Sequence, residues 1–231
     1  MIDAHVHIAP GGGGSGLLPA EALRLAALRG FRAVGLIVRS DGGFEVSLRL
    51  LSERVQGLSL FVNVEAFVGV ELVHVPPALL PDAVTEARQA GAELVLVHGE
   101  SLADAVAEGT NLAAVEAGAD ILAHPGLIDD QTAAYAAEKG VALELSACPR
   151  HGLTNAHVAV MAERHGCMLA PGGNARTPEE FLRLPSWDAV CRGAALSDAA
   201  RERFRNDAAT LVKRFMDARR KTLREKSVFS A

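Results

Sequence analysis

Short apolar runs recur along this chain, and four of them carry a histidine or glutamate at or just beyond their end. His5 and His7 close Ile2-Asp3-Ala4-His5-Val6-His7. Glu71 follows Val68-Gly69-Val70, His98 follows Val95-Leu96-Val97, and His124 follows Ile121-Leu122-Ala123. Each run reads as a buried strand. The pattern predicts strands at 2–7, 33–38, 60–70, 93–97, 120–123, 141–145 and 167–170. Helical periodicity falls between them, near 19–29, 45–56, 78–90, 110–117, 129–139, 155–165 and 178–192. Such alternation implies an α/β fold of parallel strands joined by crossover helices, and a count near seven or eight suits a closed, TIM-like barrel. A doubly wound open sheet is the rival arrangement.

The punctuation agrees. Gly30, Gly57, Gly91, Gly118, Gly140 and Gly166 each stand where a helix should end before a strand, and Pro19, Pro77 and Pro178 stand near helix starts. From Ser197 to about Lys226 the chain reads as one long helix ending in basic residues, expected to pack on the outside of the barrel. At 231 residues and 49% hydrophobic, residues 1–231 suit a single domain with a full core.

Composition narrows the function classes. A net charge of −5 argues against a nucleic-acid partner, and an aromatic content of 4% leaves little for stacking a nucleobase. Cys148, Cys167 and Cys191 have no CxxC spacing, the N-terminus lacks a secretory pattern, and no apolar run approaches membrane-spanning length. A cytoplasmic protein without a membrane partner is expected.

Histidines two apart on a strand point to one face, so His5 and His7 can reach a single cation at a barrel mouth. Glu71 has two oxygens and can bridge two metals. His98 and His124 come from successive strands and should be neighbours. Gly11 to Gly14 form either a phosphate-approaching loop or a slack one, without the lysine of a P-loop. Glu144, ending the sixth strand, is a candidate for the mouth. Glu100 is a candidate for orienting His98, and Thr154 or Asn155 for capping a helix.

Taken together, Asp-Ala-His-Val-His, Gly-Val-Glu-Leu, Val-His-Gly-Glu, Ala-His-Pro-Gly and Leu-Thr-Asn-Ala-His-Val resemble the PHP (polymerase and histidinol phosphatase) domain family. Its small histidinol-phosphatase-like members are the nearest in kind. The resemblance runs through residues 1–215 and implies a distorted (β/α)7 barrel, divalent metals and phosphoester hydrolysis. It implies one metal on His5, His7, Glu71 and Asn174, the last standing where the family has aspartate. It implies another on Glu71, His98 and His124. The family's third site is not matched: its places hold the glycine-rich loop, Arg39-Ser40 and Arg176, with Asp41 one residue beyond.

The expected function is therefore metal-dependent hydrolysis of a small phosphate monoester by a dinuclear site. Zinc, manganese or iron would serve as the metal. Arg39, Arg176 and Arg150 are candidates for gripping phosphate, and His151 for protonating the leaving group. The alternative is a non-catalytic barrel that binds a phosphorylated ligand or a partner, which Asn174, Arg176 and Ser40 would favour. The small phosphorylated metabolite itself and the oligomeric state are not legible.

Overall fold

The computed structural model describes residues 1–10, 16–58 and 61–228, with side chains as far as residue 220. The glycine-rich stretch Gly11–Gly14 lies outside the described residues. Seven parallel strands run in the order β1 to β7: Ile2–His7, Ala33–Ser40, Glu65–Leu72, Leu94–His98, Ile121–Ala123, Ala142–Ser146 and Leu169–Gly172. The seam between first and last strands is crossed by a parallel bridge from Val6 to Ala175, with His7 N–H donating to the Ala175 carbonyl at 3.0 Å. The sheet is thus a nearly closed barrel, which excludes the open doubly wound alternative.

The helices α1 (Pro19–Leu28), α2 (Glu45–Leu58), α3 (Leu80–Gln89), α4 (Thr110–Glu116), α5 (Asp130–Lys139) and α6 (Asn155–His165) follow the strands in turn. The single helix expected over 178–192 is two, α7 (Pro178–Arg183) and α8 (Trp187–Gly193), because Pro185 lies between them and cannot continue a helix. Ser186 then caps α8, its hydroxyl accepting from Ala189 N–H. The expected C-cap glycines take left-handed backbone except Gly57, which lies inside α2. Neither expected cap at α6 forms: the Asn155 amide instead bonds both main-chain groups of Ser146, at 2.9 and 2.8 Å.

Strand alternation sorts the side chains. Val34, Leu36, Val68, Val70, Val95, Val97, Leu143 and Leu145 face the helices in one core. Ala33, Ile37, Phe67, Leu94, Leu96, Ile121, Ala123 and Ala142 fill the inside of the barrel in another. On the same inward rows, at the C-terminal ends of the strands, come Arg39, Glu71, His98 and Glu144.

Two places break the alternation, and both serve the mouth. The β1–β2 register shifts between Asp3 and Val6, an irregularity that puts an extra residue in β1. Ile2 and Ala4 can therefore pack inside below, Val6 can face the helices, and His5 and His7 can still turn inward above. Gly35 makes room, since a Cβ there would lie 2.3 Å from the Ala4 carbonyl oxygen. The second break is at His124, one residue past inward-facing Ala123, where a φ of 35° swings the imidazole back to the barrel axis.

The last helix, α9 (Asp198–Val228), corrects an expectation. Rather than lying only on the outside, it seals the N-terminal end of the barrel. Ala208, Leu211 and Phe215, spaced for one helical face, join the inner core, and Phe215 meets Phe67 edge-on at 5.3 Å. Arg219 lies over the Phe67 ring and pairs with Glu65 and Glu93, while Arg214 donates to the Gly140 carbonyl at 2.7 Å. No described helix is long and apolar enough to cross a membrane. If α9 is the plug of the inner core, Phe215→Ala should cost about 3–5 kcal/mol in denaturant unfolding. A loss under about 1 kcal/mol would show that the core closes without it.

Candidate metal centre

His5, His7, Glu71, His98, His124 and Glu144 converge inside the C-terminal end of the barrel, all almost wholly out of water. The two oxygens of Glu71 divide the cluster. Its Oε2 faces His5 Nε2 at 3.5 Å and His7 Nε2 at 3.8 Å. Its Oε1 faces His98 Nδ1 at 2.9 Å and His124 Nε2 at 3.6 Å, and those two nitrogens are 2.9 Å apart. Neighbouring ligands of one tetrahedral zinc stand about 3.4 Å apart, given metal–nitrogen bonds of about 2.0–2.1 Å. Both groups match that spacing, and both form sets able to hold a cation.

Unpartnered atoms make the same point. His5 Nε2 and Glu71 Oε2 are buried and have no hydrogen-bond partner. Leaving such groups desolvated and unpaired costs free energy that a cation would recover. Asn174 sits with the first group, its Oδ1 accepting from His7 Nε2 at 2.7 Å and its Nδ2 unpartnered. Its φ of 54°, like that of His124, is a strained left-handed conformation at the centre of the site.

Glu144, only a candidate from sequence, is the brace of the cluster. Its Oε2 accepts from His5 Nδ1 at 2.8 Å and its Oε1 from His124 Nδ1 at 3.2 Å. That fixes both rings with Nε2 turned toward Glu71, as carboxylates behind metal-binding histidines do. Gly172 on β7 permits it, because a Cβ there would fall 2.2 Å from the Glu144 carboxyl carbon. Asp3 is a further buried carboxylate, one that the sequence reading missed. It holds the seam, its Oδ1 accepting from His5 N–H at 3.1 Å and Gly173 N–H at 2.8 Å. Its place at the end of a strand pattern marks Glu144 in the sequence; nothing in the spacing marks Asp3.

The remaining candidates surround this centre. Arg39 lies at its edge, Nε 3.8 Å from Glu71 Oε2 and 41% exposed. Arg176 is half-buried, with its main-chain N–H on Glu180, and near enough to His7 to act on its charge. His151 is buried and stacked on His124 with centroids 3.9 Å apart, its Nδ1 paired with Ser101 Oγ at 2.9 Å. Arg150 is turned to Asp104 and to the Ala103 carbonyl. Glu100 does not orient His98; it accepts from Asn111 N–H at 2.9 Å, at the start of α4. Asp41 is exposed and joins none of these groups.

Electrostatics follow from burial. For His5, burial works against the proton, but Glu144 and then Glu71 outweigh it and raise the imidazole to about 10. Burial, and then the charge on His5, hold His7 down at about 3. Burial likewise lowers His124, and burial with the His124 charge lowers His151 to about 3. Burial opposes ionisation of Glu71 and Glu144, yet His5 and its neighbours keep both below the usual carboxylate range. Asp3 is raised by burial to about 7.

No protein-family model matches the chain. It belongs to the same family as the uncharacterized protein MJ1295 of Methanocaldococcus jannaschii, being 32% identical over 200 residues that cover 85% of this chain and 91% of that protein. Among solved structures it is similar to a prolidase complexed with N-methylphosphonate-L-proline, at 14% identity and a TM-score of 0.60, over 92% of this chain and 74% of that one. It is also similar to hisK, a candidate histidinol phosphatase of Listeria monocytogenes, at 10% identity and a TM-score of 0.53, over 79% of this chain and 98% of that one. At such identities the likeness establishes the fold.

The pH dependence of the metal-free chain tests this charge pattern. A proton that His5 keeps up to about 10 stabilises the fold fully below the unfolded value of 6.5 and is lost as pH rises toward 10. Neutral His7, His124 and His151, and ionised Glu71 and Glu144, lose stability in the other direction, as pH falls below their unfolded values. With chelator present, the melting temperature should peak near pH 6.5 and decline on both sides. A flat profile from there to pH 10 would refute the charged state of His5.

Proposed function

We propose that this protein is a metal-dependent phosphoesterase with a dinuclear centre, acting on a small phosphate monoester. The observation that carries this reading is the split of Glu71, with one oxygen toward His5 and His7 and the other toward His98 and His124. His5, His7, Glu71 and Asn174 would hold one ion, and Glu71, His98 and His124 the other. Bound zinc, manganese or iron would supply Lewis acidity and activate water. Asn174 adds an oxygen without charge, so the first ion would be held less tightly than by a carboxylate.

Arg39 and Arg176 rise from β2 and from just past β7, on either side of β1. Two guanidiniums there give non-bridging phosphate oxygens fixed, permanently charged donors where the PHP pattern would have further metal ligands. His151 is suited to a different part from the one expected of it. Burial keeps it neutral, so at neutral pH it donates a hydrogen bond rather than a proton. A reducing cytoplasmic setting belongs to the same reading, supported by three cysteines that stay unpaired.

The test is phosphate release from a panel of monoesters by protein loaded with zinc, manganese or iron. Chelation should abolish turnover, and Glu71→Gln should lower kcat by about 100-fold or more, since it removes charge shared by both groups. Arg39→Ala with Arg176→Ala should chiefly raise KM. No release with any of these metals, but saturable binding of phosphorylated ligands, would instead support a non-catalytic barrel, the reading that Asn174 favours.

A further inference from the structure

The loop between β4 and α4 sends one carboxylate to the centre. Asp104 Oδ2 lies 3.3 Å from His98 Nε2, a buried nitrogen that no hydrogen bond claims. The other ring nitrogen of His98, Nδ1, is the one gathered with Glu71 Oε1 and His124 Nε2, at 2.9 Å from each. A neutral imidazole has one donor and one acceptor nitrogen. For Nδ1 to offer its lone pair to a cation, the proton must sit on Nε2, where Asp104 is the acceptor at hand.

We propose that Asp104 is a positioning residue that holds the proton of His98 on Nε2, making Nδ1 its metal-binding atom. Glu144 does the same for His5 and His124 from the opposite side, through their Nδ1 atoms. Each of these three ligands is then backed by a carboxylate, two of them by one. Arg150 fixes the Asp104 side chain by pairing with its Oδ1 and also donates to the Ala103 carbonyl at 3.2 Å. Asp104 is 19% exposed where Glu144 is fully enclosed, so this brace sits on a loop at the rim instead of on a strand. The metal affinity of the second group thereby depends on how that loop is seated, and Arg150 becomes part of its support.

The inference rests on His98 being a ligand, as the proposed function holds, but it is read without any substrate. Zinc affinity of the full chain, measured by competition with a chromophoric chelator, should fall about 10- to 100-fold for the ion of the second group, on Glu71, His98 and His124, in Asp104→Ala. Asp104→Asn keeps an acceptor oxygen and should lose less. Glu100→Ala, in the same loop but engaged with Asn111, should stay within about twofold. The nitrogen-15 spectrum of zinc-loaded wild-type protein should show His98 protonated at Nε2 and metal-bound at Nδ1, a readout that stands even if Asp104→Ala does not fold. Unchanged zinc affinity in Asp104→Ala, zinc on His98 Nε2, or no zinc bound by the wild type would each overturn the proposal. Normal zinc behaviour without phosphate release would overturn the phosphoesterase reading alone.

Discussion

Six ionisable side chains share the interior of the barrel's C-terminal end, and Glu71 stands between the others. A buried carboxylate is expensive unless its charge is matched, and here each oxygen faces a different pair of imidazoles. The shift in β1, the bare Cα of Gly35, the left-handed turns at His124 and Asn174 and the clearance at Gly172 all bring polar groups to that carboxylate. Each is a local departure from regular geometry that would be hard to account for in a barrel selected only for packing.

The opposite end is organised by apolar contact. Inward-facing Phe67 meets Phe215 of α9 edge-on, so one row of β3 runs from a plugged floor at Glu65 and Phe67 to the charged mouth at Glu71. A sealed floor and a polar mouth give the barrel a single open direction. The arginines follow the same polarity. Arg219 and Arg214 are spent on carboxylates and carbonyls at the floor, whereas Arg39 and Arg176 keep half-exposed positions at the mouth, where an anionic substrate could reach them.

In relation to the PHP pattern that the sequence resembles, two groups of candidate ligands are brought together and the third is not formed by the described residues. Asp41, the one carboxylate that could have compensated beyond Arg39-Ser40, points into solvent. Under the proposed reading, positive charge at two of those positions would give the phosphate of a monoester a partner that needs no metal. In the same reading, Asn174 would offer the first ion only an uncharged amide.

The order of strands and helices and five of the converging residues were legible from sequence alone, while the start of β3 and the break between α7 and α8 were not. Period-two apolar runs bounded by glycines leave the chain few other ways to bury them, and a polar residue at the end of such a run has to lie at the mouth. Sequence did not show that the chain needs a register shift in β1 to turn both histidines inward, or that Asp3 and Asp104 would sit beside His5 and His98. Nor did it show that α9 would enter the barrel floor instead of resting outside. Those features are set by how the barrel closes and which groups remain unpaired inside it, and the local apolar pattern carries no signal of either. Local pattern determined the elements and their end residues; closure alone decided which carboxylate stands behind which imidazole.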